Sequence, residues 1–180
     1  MFFARWRARR ANRLLIDQIH GEIVAAARAP ALYQEAGVAD TIEGRFEMVV
    51  LHAGLVVRRL LALGPEAGDM AQELVDRVFR GFEDALREMA IGDAGVARRI
   101  KTMAGDFAGR SRAYAAALDS GDEAALAAAL ARNVYGASAP PEATGLARRV
   151  AAAAAALDLA SFEDFAAGRF RFPPAEGEAR

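Results

Sequence analysis

Two residue types that often catalyse reactions or bind metal ions are scarce in this chain, since it has no cysteine and only two histidines. Cysteine is absent, which excludes disulfides, cysteine-ligated zinc, iron–sulfur clusters and thiol catalysis. The two histidines, His20 and His52, fall in different predicted helices, and neither belongs to a metal-binding spacing such as His-x-x-x-His. Ser111 and Ser120 have no base close by in the sequence. We therefore predict that the protein is not an enzyme and has no catalytic residues, no metal site and no cofactor.

His52 lies one position away from the apolar face formed by Val49, Ala53 and Val56. A histidine beside a core face is usually a structural residue whose ring is hydrogen-bonded inside the protein. The alternative is that His52 contacts a binding partner, which would require a pair of carboxylates aimed at its ring. The spacing favours the structural interpretation.

Arg110 is a cation on an apolar helix face, because it follows Phe107 by three positions and precedes Tyr114 by four. A partly buried guanidinium needs a carboxylate or carbonyl partner. We expect Glu88 or Asp40 to supply that carboxylate. Arg110 is then either half of an ion pair that fixes a helix crossing, which we favour, or a residue that contacts a partner.

Four phenylalanines occupy apolar faces of three predicted helices, namely Phe46, Phe79, Phe82 and Phe107. They could line a groove that holds an apolar segment of another protein, with charged residues at its rims. The alternative is that all four belong to the core. Arg45 flanks the face that carries Phe46 and has the same two interpretations as Arg110.

The charges are unevenly distributed, although the net charge is only −1. Residues 1–28 carry six basic and two acidic residues, residues 95–118 carry five basic and one acidic, and residues 66–93 carry eight acidic and three basic. One interpretation is that neighbouring helices neutralise each other. The other is a basic surface for RNA, a ribosome or acidic lipid. The residues that would form this basic patch are Arg98, Arg99, Lys101 and Arg112.

Residues 1–8 combine aromatic and basic side chains. Phe2, Phe3 and Trp6 alternate with arginines, which suits a helix that lies on a membrane surface. The same residues also suit a terminal segment that folds back on the core, and three aromatic rings provide little apolar area for stable attachment. These three residues are the predicted membrane-surface candidates.

The sequence contains no predicted membrane span and no secretory signal. No apolar run approaches the roughly 20 residues needed to cross a bilayer, and the N-terminus lacks the apolar segment of a secretory signal. All basic residues except Lys101 are arginine, which suggests GC-rich coding and a bacterial source. We therefore expect an untargeted cytoplasmic protein.

The elements that must position these side chains are helices. Apolar residues recur every three to four positions along most of the chain, as in Leu15, Ile19 and Ile23, and no alternating strand pattern of useful length is present. This periodicity predicts an all-α fold, an orthogonal bundle of about six or seven helices.

Several local signals predict where these helices begin and cross. Asp40 with Glu43, and Ser120 with Glu123, have the spacing of capping boxes and predict two helix starts. The Gly-x-x-x-Gly segment 105–109 predicts a close helix crossing.

Proline and glycine divide the chain into segments. The predicted division is a flexible basic–aromatic N-terminus (1–8), a helical domain (9–136), a linker (137–141), an Ala-rich helical C-terminal segment (142–172) and a disordered tail (173–180).

Four groups of motifs follow one another along about residues 10–136. They are Tyr33 with Gly37–Glu47 and His52, then Phe82–Met89 with Gly92–Asp93, then Gly109–Arg110 with Tyr114, and finally Arg132–Tyr135. In this order and spacing, the four groups together resemble the ubiquinol–cytochrome c chaperone family. Ala90 and Ala94 depart from the family pattern, in which glycine and a larger apolar residue are expected.

The resemblance implies a non-enzymatic assembly factor. Mitochondrial members attend newly made cytochrome b near the ribosomal exit and help to build the cytochrome bc1 complex. A bacterial member would bind nascent cytochrome b or another bc1 subunit in the cytoplasm, with peripheral contact at the inner membrane. The ribosome and a second copy of the chain are further expected partners.

Two alternatives of a different class stay open. One is a module that binds RNA or the ribosome through the basic helix of residues 95–118. The other is a small-molecule or lipid binder that uses a cavity in the helical bundle.

Overall fold

The computed structural model describes residues 2–89, 92–136 and 140–173, and it describes side chains from residue 12 onward. All regular secondary structure in these residues is helical, with six long helices and two of five residues, which confirms the predicted all-α bundle. The helices are α1 (Phe2–Ala27), α2 (Pro30–Gln34), α3 (Ile42–Ala62), α4 (Pro65–Glu88), α5 (Asp93–Ser120), α6 (Glu123–Val134), α7 (Pro141–Asp158) and α8 (Phe162–Ala166).

Some sequence-based predictions fall outside the described part of the chain. Residues 137–139 of the predicted linker and residues 174–180 of the predicted tail are not described. The side chains of Phe2, Phe3 and Trp6 also lie outside the described residues, although their backbone belongs to α1.

Helix α3 is the centre of the bundle. Its residues from Val50 to Val56 are all buried, so this stretch is covered on every side. Helices α1, α4, α5 and α7 each pack on α3. Removing this apolar surface from water is the main favourable contribution to folding.

The helix starts differ in detail from the predicted capping boxes. Thr41, not Asp40, caps α3, and its hydroxyl accepts a hydrogen bond from the Gly44 N–H at 3.1 Å. Asp122, not Ser120, caps α6 through the Ala125 N–H at 2.8 Å. The predictions based on Asp40 and Ser120 were wrong by one and two residues. The hydroxyl of Ser120 instead donates to a carbonyl within α5, a competing local bond that serine readily forms.

The close crossing between α3 and α5 occurs at Gly54, not at the predicted Gly105 and Gly109. A Cβ atom on Gly54 would lie 3.0 Å from Ser111 Oγ, whereas one on Gly105 or Gly109 would meet nothing within 4 Å. The Gly-x-x-x-Gly prediction was therefore wrong, because both of its glycines are exposed. Glycine at position 54 lets the two backbones approach.

The C-terminal helices share the core of the preceding ones. Leu146, Val150 and Leu157 of α7 are buried in the same apolar cluster as residues of α3. Arg58 of α3 binds Asp119 at 2.8 Å and Asp158 at 2.9 Å, so it connects the ends of α5 and α7. Among the described residues, no helix is both long and apolar enough to cross a lipid bilayer.

Candidate functional site

The four phenylalanines named from the sequence lie together. Phe46 and Phe82 have ring centroids 4.6 Å apart, Phe79 and Phe82 are 5.9 Å apart, and Phe79 and Phe107 are 5.7 Å apart. Helices α3, α4 and α5 pack pairwise, so the rings form one continuous row across three helices. We call this row the aromatic cluster.

The aromatic cluster is buried at one end and open at the other. Phe107 is buried, whereas the other three rings are half-buried. Ile42, one turn before Phe46, is 59% exposed, and Met89, at the end of α4, is 44% exposed. Because α3 and α4 form an antiparallel hairpin, both residues extend the cluster at the same end of the molecule. Two exposed apolar residues thus lie at the open end of the aromatic cluster.

Arg110 makes an ion pair beside this cluster, but not with the predicted acids. Its guanidinium binds the Glu47 carboxylate, and a second nitrogen lies 3.6 Å from Asp106. The side chains of Arg110 and Glu47 are only 20% and 12% exposed. The prediction that Glu88 or Asp40 pairs with Arg110 was wrong. Helix α3 packs directly on α5 and brings Glu47 to the guanidinium instead.

The role of Glu47 follows only once the crossing of α3 and α5 is known. Glu47 lies two turns before Gly54 and therefore on the same face of α3, the face that crosses α5 at Ser111. Arg110 is next to Ser111 in the sequence, so the structure, by placing the crossing at Gly54, also brings Glu47 within reach of the arginine.

The surroundings of the Arg110–Glu47 pair are polar and largely shielded from water. Burial raises the pKa of Glu47 to about 7, against the opposing effect of the Arg110 charge. Burial also raises the pKa of Tyr114 to about 12, and its hydroxyl accepts a hydrogen bond from Asn133 Nδ2 at 3.1 Å. These contacts join α3, α5 and α6, so Arg110 and Tyr114 hold the helices behind the aromatic cluster.

Arg45 directly precedes Phe46 in α3, and its side chain is exposed to solvent. It binds Asp40 at 2.7 Å, and both side chains are more than half exposed. The hydrogen bond from Arg45 lowers the pKa of Asp40. Because both side chains are exposed, this ion pair contributes little to the stability of the fold. For the same reason, both charges are accessible to a partner.

His52 has the hydrogen bond expected of a structural histidine. Its Nδ1 donates to the Met48 carbonyl at 2.7 Å, and its ring packs edge-on against Phe172 with centroids 5.1 Å apart. Burial lowers the pKa of His52, which keeps the ring neutral. Because His52 faces away from α4 and α5, it is not part of the aromatic cluster.

His52 instead lines a cleft of about 840 Å³ formed by α1, α2, α3 and α7. A cavity in the bundle is what the small-molecule or lipid alternative requires. Three arginines line this cleft, and the sequence analysis selected none of them; they are Arg28, Arg148 and Arg149.

The predicted basic patch lies on the outer face of α5. Arg98, Arg99, Lys101 and Arg112 are all exposed. Within the part of the chain whose side chains are described, none of the four forms an ion pair. Among the same residues, no group of three His, Cys, Asp or Glu side chains is placed to share a metal ion.

Known proteins resemble this chain along most of its length. The sequence model of the family described as ubiquinol–cytochrome C chaperone matches residues 34–172. The match continues beyond residue 136, where the motif resemblance ended, and includes α7 and α8. A search of curated proteins found no match.

A solved structure supports the same assignment. The crystal structure of the Cbp3 homolog from Brucella abortus is 38% identical to this chain and has a TM-score of 0.85. The similarity covers 96% of this chain and 97% of that one. The family prediction is confirmed, and this chain belongs to the ubiquinol–cytochrome c chaperone family.

Proposed function

We propose that this protein is a chaperone for the assembly of the cytochrome bc1 complex, which binds newly made cytochrome b or another subunit without catalysing a reaction. It acts in the cytoplasm, with peripheral contact at the inner membrane. The observation that carries the proposal is the family match over residues 34–172, together with the similarity to the Cbp3 homolog over nearly the whole chain.

The open end of the aromatic cluster supports this proposal as the place where the client binds. A membrane subunit exposes apolar helices before insertion, and the half-buried rings with Ile42 and Met89 offer apolar surface to cover them. Glu43 and Glu88 stand next to these two residues and are exposed. Cytoplasmic flanks of transmembrane helices are rich in Lys and Arg, so acidic residues here would orient the client.

The experiment replaces the two exposed apolar residues by acids, as Ile42→Glu with Met89→Glu, in a strain that lacks the natural gene. We expect deletion to lower the amount of assembled bc1 complex in membranes. The double variant should fail to restore it, because a carboxylate cannot pack against an apolar client. Both sites are exposed, so the fold should be unaffected.

Leu159→Glu is the matched control, since Leu159 is 86% exposed and lies at the end of α7, outside the aromatic cluster. It should restore the complex fully. A normal level of bc1 complex in the deletion strain would contradict the proposed function. Full restoration by the double variant would contradict the proposed surface alone.

The exposed basic patch favours a second candidate function, contact with RNA or the ribosome. Because binding to phosphates releases counterions, co-sedimentation with ribosomes should weaken steeply as salt is raised. Replacing Arg98, Arg99, Lys101 and Arg112 by glutamate should abolish it at low salt. If sedimentation persists, the basic patch is not the contact.

A further inference from the structure

The cleft that contains His52 exists because two helices share a neighbour without closing on each other. Helices α1 and α7 both pack on α3, and neither packs substantially on the other. The space left between them is about 840 Å³, which is within the usual range of small-molecule sites, about 300–1,000 Å³.

The floor of the cleft is apolar and uncharged. Leu55 of α3 and Leu146 and Val150 of α7 are buried beneath it, so the apolar surface that a ligand can reach comes from Phe172 and the alanines of the walls. His52 is neutral, and Phe172 covers one edge of its ring. The walls are largely alanine, which leaves room between the two helices.

The rim of the cleft is basic. Arg28 and Arg148 are exposed, and Arg149 is half-buried with one nitrogen bound to Glu35 at 2.6 Å. Glu22 is the acid in the lining, and it lies 3.6 Å from Arg171. The lining therefore has three arginines against one acid, and its charge is concentrated at the solvent side.

Contacts at both ends hold the walls in place. Tyr135 donates a hydrogen bond to the Ala36 carbonyl at 2.5 Å, beside the Arg149–Glu35 pair. At the other end, Gln18 of α1 donates to the Gly168 carbonyl at 3.1 Å. The segments that flank the cleft are thus tied to neighbouring parts of the bundle.

From this arrangement we infer that the cleft binds a free long-chain fatty acid, with its alkyl chain between the alanine walls and against Phe172, and its carboxylate at the arginine rim. Guanidinium groups bind carboxylates through paired N–H donors, and apolar side chains favour contact with an alkyl chain. The inference is independent of the proposed function, since the cleft is separate from the aromatic cluster.

The test uses the full-length protein and sodium oleate below its micelle concentration. Native mass spectrometry should show one oleate per chain, and calorimetry should give its dissociation constant. Arg28→Glu with Arg148→Glu should weaken binding about tenfold or more, because hydrogen bonds to charged groups are lost and repulsion replaces them. Arg98→Glu with Arg112→Glu, the same charge change on α5, should leave the constant unchanged.

A second variant tests the alanine walls of the cleft without changing its charge. Ala152 is an exposed residue of the cleft lining, so Ala152→Phe should block entry without disturbing the core. Ala116→Phe, at an exposed position of α5, is its control. Thermal melting of each variant verifies that it is folded.

The outcomes separate the possible ligands. Dodecylamine, a cationic chain, should not bind, and vesicles of phosphatidylglycerol should not co-sediment through the cleft arginines. Equal binding of oleate and dodecylamine, or unchanged oleate binding in the Arg28/Arg148 or Ala152 variants, would overturn the inference. If vesicles bind through Arg28 and Arg148 and oleate does not bind, the inference is wrong, and these arginines contact a membrane surface instead of a free fatty acid.

Discussion

Helix α3 contributes to two surfaces that differ in packing and in charge. In the aromatic cluster, α3, α4 and α5 all touch one another, and the rings of three helices meet. At the cleft, α1 and α7 touch α3 but leave a gap between themselves. Glu43 and Glu88 flank the first surface beside the Arg45–Asp40 pair, whereas three arginines and one acid line the second. Whether the neighbours of a central helix contact each other thus decides if a patch or a cavity forms.

The ion pairs in the two regions differ as well. Arg110 and Glu47 are largely withdrawn from water, whereas Glu35, the partner of Arg149, is 52% exposed. Water screens the second pair and weakens it, but a lone charge left at the first site stays desolvated. The aromatic side should therefore be far more sensitive to the loss of an arginine.

The largest expected effect is that of Arg110→Ala. This change leaves the buried Glu47 carboxyl without its partner, so the group must stay desolvated or take up a proton, and it should cost about 2–3 kcal/mol of unfolding free energy. Arg149→Ala is the matched control and should cost about 1 kcal/mol or less. Urea denaturation of both variants measures the difference. Similar losses in the two variants would show that the two regions do not differ in this way.

A smaller effect concerns pH. The pKa of Glu47 is raised from 4.5 to about 7, so protonation favours the folded state. Its stabilising contribution is complete below pH 4.5 and is lost as the pH rises through about 7. The glutamine of Glu47→Gln cannot titrate. The unfolding free energy of the wild type minus that of the variant should therefore fall as the pH rises from 4.5 to about 7.

His20 titrates in the same interval with the opposite sign. Burial lowers its pKa to about 4, so its contribution is present above 6.5 and is lost as the pH falls through 4. The wild type and the Glu47→Gln variant both contain His20. Subtracting the variant's unfolding free energy from that of the wild type at each pH, both measured by urea titration, therefore removes the contribution of His20. A difference curve that rises with pH, or stays flat, would refute the role given to Glu47.

The smallest expected effect lies at the cleft. Phe172 is half-buried, and Phe172→Ala should cost roughly 1–2 kcal/mol. Losing this ring admits water to His52, so its lowered pKa should rise towards the ordinary value of 6.5. Proton NMR of the His52 ring checks this. Phe162→Ala, another half-buried ring near the C-terminus, should leave the pKa of His52 unchanged.

Local interactions made much of the architecture predictable. The periodicity of Leu15, Ile19 and Ile23 reports which face of α1 is apolar, and Ile19 and Ile23 are indeed fully buried. The same reasoning grouped Phe46, Phe79, Phe82 and Phe107, which do meet. Helix caps were less predictable, since several neighbouring residues can cap equally well and backbone geometry selects Thr41 over Asp40.

Long-range pairings were not predictable in the same way. The wrong partners proposed for Arg110 show why, because a face of α5 has many acids within reach until the crossing at Gly54 is known. Arg28 and Arg148 looked like ordinary surface charges, being 120 residues apart in the chain. They share a rim because α1 and α7 both pack on α3.

The amino-acid sequence by itself determined the helices, their apolar faces and the family, since these depend on residue types at short spacing. The tertiary structure alone decided which helices touch, and hence the Arg110–Glu47 pair and the basic rim around His52. The physical reason is that crossing angles and gaps follow from packing the whole core at once, which no local spacing encodes.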